Sequence, residues 1–281
     1  MTHLETVHEL RTWRRQAGRV LLVPTMGALH EGHARLVREA RRMAGDSARV
    51  VATIFVNPLQ FGPNEDFDRY PRTLEADLRL CEEAGADLVF APPVPEVYHP
   101  DRSIKITESS LSAVLCGASR PGHFDGVCTV VAKLFNLVQP DEALFGRKDY
   151  QQLAVIRRLV RDLDIPVVVH GVETVREPDG LAMSSRNRYL SPEERAQAPA
   201  LQAALRRARD AWLAGERDVS RLLQVIREHV ACNAPLCRED YVSIVDPDSL
   251  QPLARVEDHA VALLAFWFGK ARLIDNLELR R

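Results

Sequence analysis

The chain has 281 residues, 46% hydrophobic and 27% charged, with a net charge of -2; such values belong to a globular protein and exclude disordered and fibrous classes. A sequence pI near 6.5 and the lack of a terminal basic run leave no electrostatic footprint for nucleic acid, so small-molecule partners are expected. The longest apolar run, near residues 260–268, is too short to span a bilayer, and the length suits two domains. Five cysteines without a CxxC pair, and no signal peptide, point to reduced thiols in the cytoplasm.

Apolar Leu4, Val7, Leu10 and Trp13 are spaced for a helix over residues 5–17, ended by Gly18. A strand at 20–23 runs into Pro24-Thr25-Met26-Gly27-Ala28-Leu29-His30-Glu31-Gly32-His33, and an amphipathic helical pattern follows over 34–44. Strand, glycine turn and helix together make a phosphate seat. Gly27 and Gly32 let the backbone approach a ligand, and the helix starting near His33 offers N–H groups and partial positive charge. His30 and His33 add side-chain donors suited to an anion that gains charge in a reaction. The glycine spacing is that of a P-loop, but His33 stands where that loop needs Lys; His30-Glu31-Gly32-His33 is one residue short of a zinc-protease HExxH.

A strand over 50–56 ends in Asn57-Pro58-Leu59-Gln60-Phe61-Gly62-Pro63-Asn64, polar side chains at a strand's carboxyl end, where doubly wound sheets bind ligands. Next come a helix over 73–84, capped by Thr73 and stopped by Gly85, and a strand over 87–91. A proline-rich excursion over 92–101, a short strand at 104–107 and a helical turn at 110–115 lead to the loop Arg120-Pro121-Gly122-His123-Phe124-Asp125-Gly126. An apolar helix over 127–138, a buried strand at 143–145, the turn Gly146-Arg147-Lys148-Asp149, a helix over 150–163 and a strand at 167–170 complete a parallel α/β pattern. No GxGxxG occurs, so a dinucleotide site is not indicated.

The polar turn Arg176-Glu177-Pro178-Asp179-Gly180 suits a hinge. Ser191-Pro192-Glu193-Glu194 then starts a helix to about 213 with a capping box, a second helix covers 219–232, and strands fall at 241–245, 261–268 and 271–274. This composes a smaller α+β unit. The expected boundaries are residues 1–176 and 177–281, with the hinge at 176–188.

That hinge carries Leu181-Ala182-Met183-Ser184-Ser185-Arg186-Asn187-Arg188, two hydroxyls and a guanidinium that suit closure over a polyphosphate. An HxGH turn in the first βα unit with a later Met-Ser-Ser-Arg loop resembles the HIGH and KMSKS pair of the nucleotidylyl-transfer superfamily. Within it, the chain resembles the pantothenate synthetases, AMP-forming pantoate–β-alanine ligases. The resemblance rests on Pro24 to His33, Phe55-Val56-Asn57-Pro58-Leu59-Gln60-Phe61, Tyr70-Pro71-Arg72-Thr73, Arg120-Pro121-Gly122-His123-Phe124, Gly146 to Gln152, and Asp179 to Asn187, in family order.

The resemblance implies a Rossmann-like α/β sheet domain binding ATP and pantoate, a smaller α+β C-terminal lid domain, and a homodimer. It implies that pantoate is adenylated by ATP with Mg²⁺, and that β-alanine then displaces AMP. By position, Met26, Gly27, Ala28, Leu29, His30, Glu31, Gly32, His33, Gly146, Arg147, Lys148, Asp149, Val175, Met183, Ser184, Ser185 and Arg186 line the ATP site. His33, His30 and Lys148 are the implied catalytic residues, with His33 the proton donor. Gln60 and Gln152 bind pantoate, Gln60 also reaches β-alanine, and Asp77 is a candidate metal contact. Two departures stand out: many members have Glu in place of Arg147 and of Cys116. The rival readings are another adenylylating enzyme, such as a phosphopantetheine adenylyltransferase, and a non-catalytic nucleotide sensor.

Overall fold

The computed structural model describes every residue but Asn64 and Asp66; Asn64, the last residue of the loop expected at a strand end, therefore lies outside the described residues. Its elements are β1 (Thr2–Leu4), α1 (Val7–Arg14), β2 (Arg19–Thr25), α2 (Glu31–Ala44), β3 (Ala48–Ile54), α3 (Leu74–Glu83), β4 (Leu88–Phe90), α4 (Val94–Val97), α5 (Leu115–Ser119), α6 (His123–Val138), β5 (Glu142–Gly146), α7 (Tyr150–Asp162), β6 (Val168–Val172), α8 (Pro192–Gln197), α9 (Ala200–Leu213), α10 (Val219–Asn233), β7 (Cys237–Val245), β8 (His259–Phe268) and β9 (Ala271–Arg280). They form two compact units. The first comprises Met1–Ser109, Arg120–Arg147 and Gln152–Glu173; the second comprises Ser110–Ser119, Lys148–Gln151 and Thr174–Arg281.

The first unit holds a six-stranded sheet in the order β1-β4-β3-β2-β5-β6, every pair parallel. Strands 2 and 3 are β-branched and apolar because both faces are covered: Val20, Leu21, Leu22, Val23, Val50 and Val51 are fully buried. Leu36, Val37 and Ala40 of α2 pack on one face, each larger side chain contributing about 1.5–3 kcal/mol of burial. From β2 the chain first builds outward through β3 and β4, then returns to place β5 on β2's other side. That reversal makes a topological switch point at the carboxyl ends of β2 and β5, the place where open α/β sheets bind ligands.

The second unit has an antiparallel sheet β7-β8-β9 with α9 and α10 over it, around a core of Leu201, Leu205, Trp212, Leu222, Ile226, Leu264 and Phe268. A register shift between Glu239 and Tyr241 marks a bulge at Asp240, which redirects that side chain. Asp240 accepts from Arg272 at 2.6 and 3.0 Å and from Ser119 Oγ at 3.2 Å. Gln151 completes the attachment, donating to the carbonyls of Leu111 and Val114 at 2.7 Å and accepting from Cys116 N at 2.9 Å. These contacts gather the 110–119 and 148–151 segments into this unit, although they precede residue 176 in sequence.

Several expectations are corrected. Residues 104–107 form no strand; the Ile106 N–H goes to Thr129 Oγ1 of α6 at 3.3 Å rather than to a ladder. The helix expected from 191 to 213 is broken into α8 and α9 at Pro199, which has no N–H to bond back to the preceding turn. Thr73 makes no side-chain cap on α3; its hydroxyl donates to Asp77 at 3.1 Å. Strand β1 was not anticipated, and β9 runs to Arg280. Among the described residues, no helix is long and apolar enough to cross a membrane.

Candidate active site

The turn after β2 is left-handed at two successive residues, Gly27 (φ 83°) and Ala28 (φ 51°). This conformation points neighbouring amides the same way, making an anion-binding concavity. The concavity is filled from within the chain: Asp77, only 2% exposed, accepts from Ala28 N at 2.9 Å and Leu29 N at 2.8 Å. A Cβ on Gly27 would lie 3.1 Å from Asp77 Oδ2 and 3.2 Å from Ile54 Cγ2. A side chain here would be strained by φ and crowded by both neighbours, which favours glycine.

Helix α2 begins directly after the turn, with His30 as its N-cap. His30 Nδ1 accepts from Gly32 N at 3.1 Å, and His33 Nδ1 accepts from His30 N at 3.2 Å. The rings lie 4.1 Å apart between centroids, tilted by 47°. This is a capping box built from two imidazoles in place of Ser and Glu. A neutral imidazole that accepts at Nδ1 carries its proton on Nε2, so the two hydrogen bonds assign both rings the Nε2–H donor tautomer. Glu31 is exposed and pairs with Arg38.

Gln60 is 8% exposed on a short turn, Pro58–Gln60. Its Oε1 accepts from Asn57 Nδ2 at 3.1 Å, and its Nε2 lies 2.8 Å from Met26 Sδ on the glycine turn. Asn57 is itself fixed: Nδ2 donates to Gly126 O at 3.0 Å, while Oδ1 accepts from Tyr98 Oη at 2.9 Å and Leu59 N at 3.2 Å. The Gln60 carbonyl takes His123 Nδ1 at 2.8 Å and Arg120 Nη2 at 3.4 Å. Arg120 in turn holds Glu65 at 2.5 and 2.7 Å. Burial raises the Glu65 pKa, but the Arg120 hydrogen bonds and charge outweigh it and leave the carboxyl below its usual range. Asn57 and Tyr98 carried no signal as a pair, being far apart in sequence. Gln152 is half-buried on α7, whereas its neighbour Gln151 is a structural tie.

Gly146 ends β5, and Arg147 pairs with Glu173 just past β6. The other expected residues belong to the second unit. Lys148 lines a cleft with Leu181, Ala182, Ser184, Asn187 and Asp275, so Lys148 and Ser184 do come together. Asn276 Nδ2 donates to the Lys148 carbonyl at 2.8 Å; Asp149 is exposed. Val175 O accepts from Met183 N at 3.0 Å in a tight hairpin, closed by an isolated bridge between Arg176 and Ala182. Arg176 holds the buried Asp275 bidentately at 2.6 and 2.9 Å. Ser184 accepts from Arg186 N at 3.2 Å and caps the short helix Ser185–Tyr189, which is a well-tied base for Ser185 and Arg186. Among the described residues, no group of three or more His, Cys, Asp or Glu is arranged for a metal ion.

The fold is that of an α/β protein, with the paired-histidine turn at the carboxyl edge of a parallel sheet. A family model described as pantoate–β-alanine ligase matches residues 2–278, and the chain belongs to that family. It is a ligase joining pantoate to β-alanine. The chain is 55% identical over 268 residues to the pantothenate synthetase of Akkermansia muciniphila, covering 94% of each. It is 53% identical over 281 residues to that of Heliobacterium modesticaldum, covering 99% of each. Among solved structures, pantothenate synthetase from Thermus thermophilus matches with TM-score 0.94 and 52% identity over 100% of both chains. A Francisella tularensis pantoate–β-alanine ligase, solved with β-γ ATP and β-alanine, matches with TM-score 0.79 and 31% identity, covering 99% of this chain and 97% of that one.

Proposed function

We propose that the condensation runs through an acyl adenylate. A pantoate carboxylate oxygen attacks the α-phosphorus of ATP and the bond to pyrophosphate breaks. The amine of β-alanine then attacks the acyl carbon, the bond to AMP breaks, and the nitrogen loses a proton. A carboxylate attacking a polyanion is a poor nucleophile, so donors that neutralise charge and hold the reactants in line are the main requirement. The observation that carries this reading is the reciprocal imidazole cap, which leaves His30 and His33 each with an Nε2–H donor at the carboxyl edge of β2.

In this reading His33 donates toward the phosphates, with His30 and Lys148 as further donors. Met26 to Gly32, Gly146, Arg147, Asp149, Val175, Met183, Ser184, Ser185 and Arg186 bind ATP, and the 177–281 region acts as a lid on a hinge at 176–188. Gln60 and Gln152 bind pantoate. Since Asn57 Nδ2 occupies Gln60 Oε1 and one N–H of Gln60 Nε2 goes to Met26 Sδ, Gln60 is proposed to offer its second N–H, a neutral donor for a carboxylate; Gln60 also receives β-alanine. The functional enzyme is proposed to be a homodimer. Asp77 fits the proposed Mg²⁺ poorly, because it is 2% exposed and three protein donors already hold its carboxylate.

The test is ATP–pyrophosphate exchange. It is expected to require pantoate but not β-alanine, since the adenylate forms before the amine acts; exchange that proceeds equally well without pantoate sinks the ordering.

A further inference from the structure

We propose that Asp77 is the resident anion of the glycine turn: a positioning residue that sets the His30 and His33 rings, and not a metal ligand. Two successive left-handed residues, Gly27 and Ala28, aim the Ala28 and Leu29 amides at one point, and such a concavity is stable when an anion fills it. Asp77 fills it permanently. Its two oxygens take one amide each, at 2.9 and 2.8 Å, and Thr73 Oγ1 adds a third donor at 3.1 Å.

At 2% exposure the carboxylate is shielded from solvent, and its placement within α3 ties that helix to the residues just before His30. The amides of Ala28 and Leu29 are consequently committed to the protein. Phosphate binding at this turn then falls to the imidazole Nε2–H groups, whose aim depends on a backbone that Asp77 holds. A chain without this internal anion would have one buried and one part-buried amide unpartnered in a strained turn, which relaxes by moving the start of α2.

This inference rests on the adenylation reading above, and the experiment separates the two. Asp77→Ala, Asp77→Asn and His33→Ala are compared in pantoate-dependent ATP–pyrophosphate exchange. The Mg²⁺ concentration is varied, and sodium formate is titrated in at constant ionic strength. Asp77→Ala is expected to lose about 10²-fold in rate, the usual cost of a misplacement of around 1 Å. Its Mg²⁺ half-saturation should stay at the parent value, and formate, a small carboxylate that fits the emptied concavity, should restore activity several-fold where chloride does not.

Asp77→Asn keeps the volume but turns an NH₂ group toward one of the three donors. It is expected to be slowed yet indifferent to formate. In ¹H–¹⁵N spectra the parent should show both rings as Nε2–H tautomers, and Asp77→Asn should lose that assignment. Undiminished exchange in both Asp77 variants, or a raised Mg²⁺ requirement with no response to formate, overturns the proposal. Normal exchange in His33→Ala instead removes the underlying reading of the turn.

Discussion

His33 closes back on His30: its Nδ1 accepts the His30 backbone N–H at 3.2 Å, so a residue proposed for chemistry also terminates the helix that carries it. The two jobs are separable by substitution. His33→Ala removes both and is expected to cost about 1 kcal/mol of stability, as loss of a cap does, together with at least ~10²-fold in adenylate formation. His33→Glu restores an ordinary capping-box acceptor while placing a carboxylate toward the phosphates. It should melt close to the parent yet form adenylate more slowly than His33→Ala. Thermal unfolding paired with single-turnover adenylation checks this, and normal turnover in either variant would contradict it.

Arg147, where many family members have Glu, pairs with Glu173, whose side chain is 81% exposed. A pair this wet is worth little, at most about 1 kcal/mol. Arg147 is therefore proposed to line the ATP site with its guanidinium turned from the phosphates, and Arg147→Glu is expected to change the ATP KM by less than about tenfold, under ~1.4 kcal/mol, with a small loss of stability from repulsion against Glu173. A large, salt-sensitive rise in KM would mean direct phosphate contact.

Gly126 on α6 lies so close to the turn bearing Gln60 that an added Cβ would come within 2.3 Å of Leu59 O and 2.6 Å of Gln60 N. Backbone cannot step aside as a side chain does. Gly126→Ala should destabilise the fold by about 1–3 kcal/mol through overpacking, and raise the pantoate KM through displacement of Gln60 while leaving the ATP KM less affected. Steady-state kinetics with each substrate varied in turn decides it; equal effects on both constants would argue against a local displacement.

Acid should weaken the ion pair that braces the Gln60 turn. Burial pushes Glu65 up, but Arg120 pulls it further down, so its folded pKa lies below the unfolded value. Such a group adds stability above its unfolded pKa and loses that contribution as pH falls through the lower, folded value. The stability gap between parent and Glu65→Gln should thus be full at neutral pH and shrink through the acid range. Urea melts across that range measure it, and a gap that widens on acidification would reverse the assignment.

Much of this was legible from local patterns. Strand β2, its glycine turn and α2 announce themselves because apolar runs, glycines and helical periodicity are all local signals. The partners that fix the site are non-local and left no such trace. Asp77 sits on α3 and serves the turn after β2; its carboxylate reads in sequence as a helix-surface charge or a candidate metal contact. Gln151 and Gln152 are adjacent and identical in type, yet one is a buried tie and the other half-exposed. The break at Pro199 was overridden by a strong amphipathic pattern around it, and β1 is too short to show a period. The imidazole cap was hidden for a different reason: His replaces the Ser and Glu by which such boxes are read.

The second unit also has a consequence for how the chain is made. Lys148 emerges during synthesis long before Asn276, whose side chain fastens its carbonyl from β9, and domains generally fold in order of emergence. The Lys148 carbonyl must therefore wait for this partner until almost the last residues are polymerised. A nascent chain arrested at residue 270 should already protect β2 and β3 from hydrogen exchange but leave the Lys148 segment open to protease. A contiguous fragment that starts after residue 176 lacks the 110–119 and 148–151 segments of the second unit.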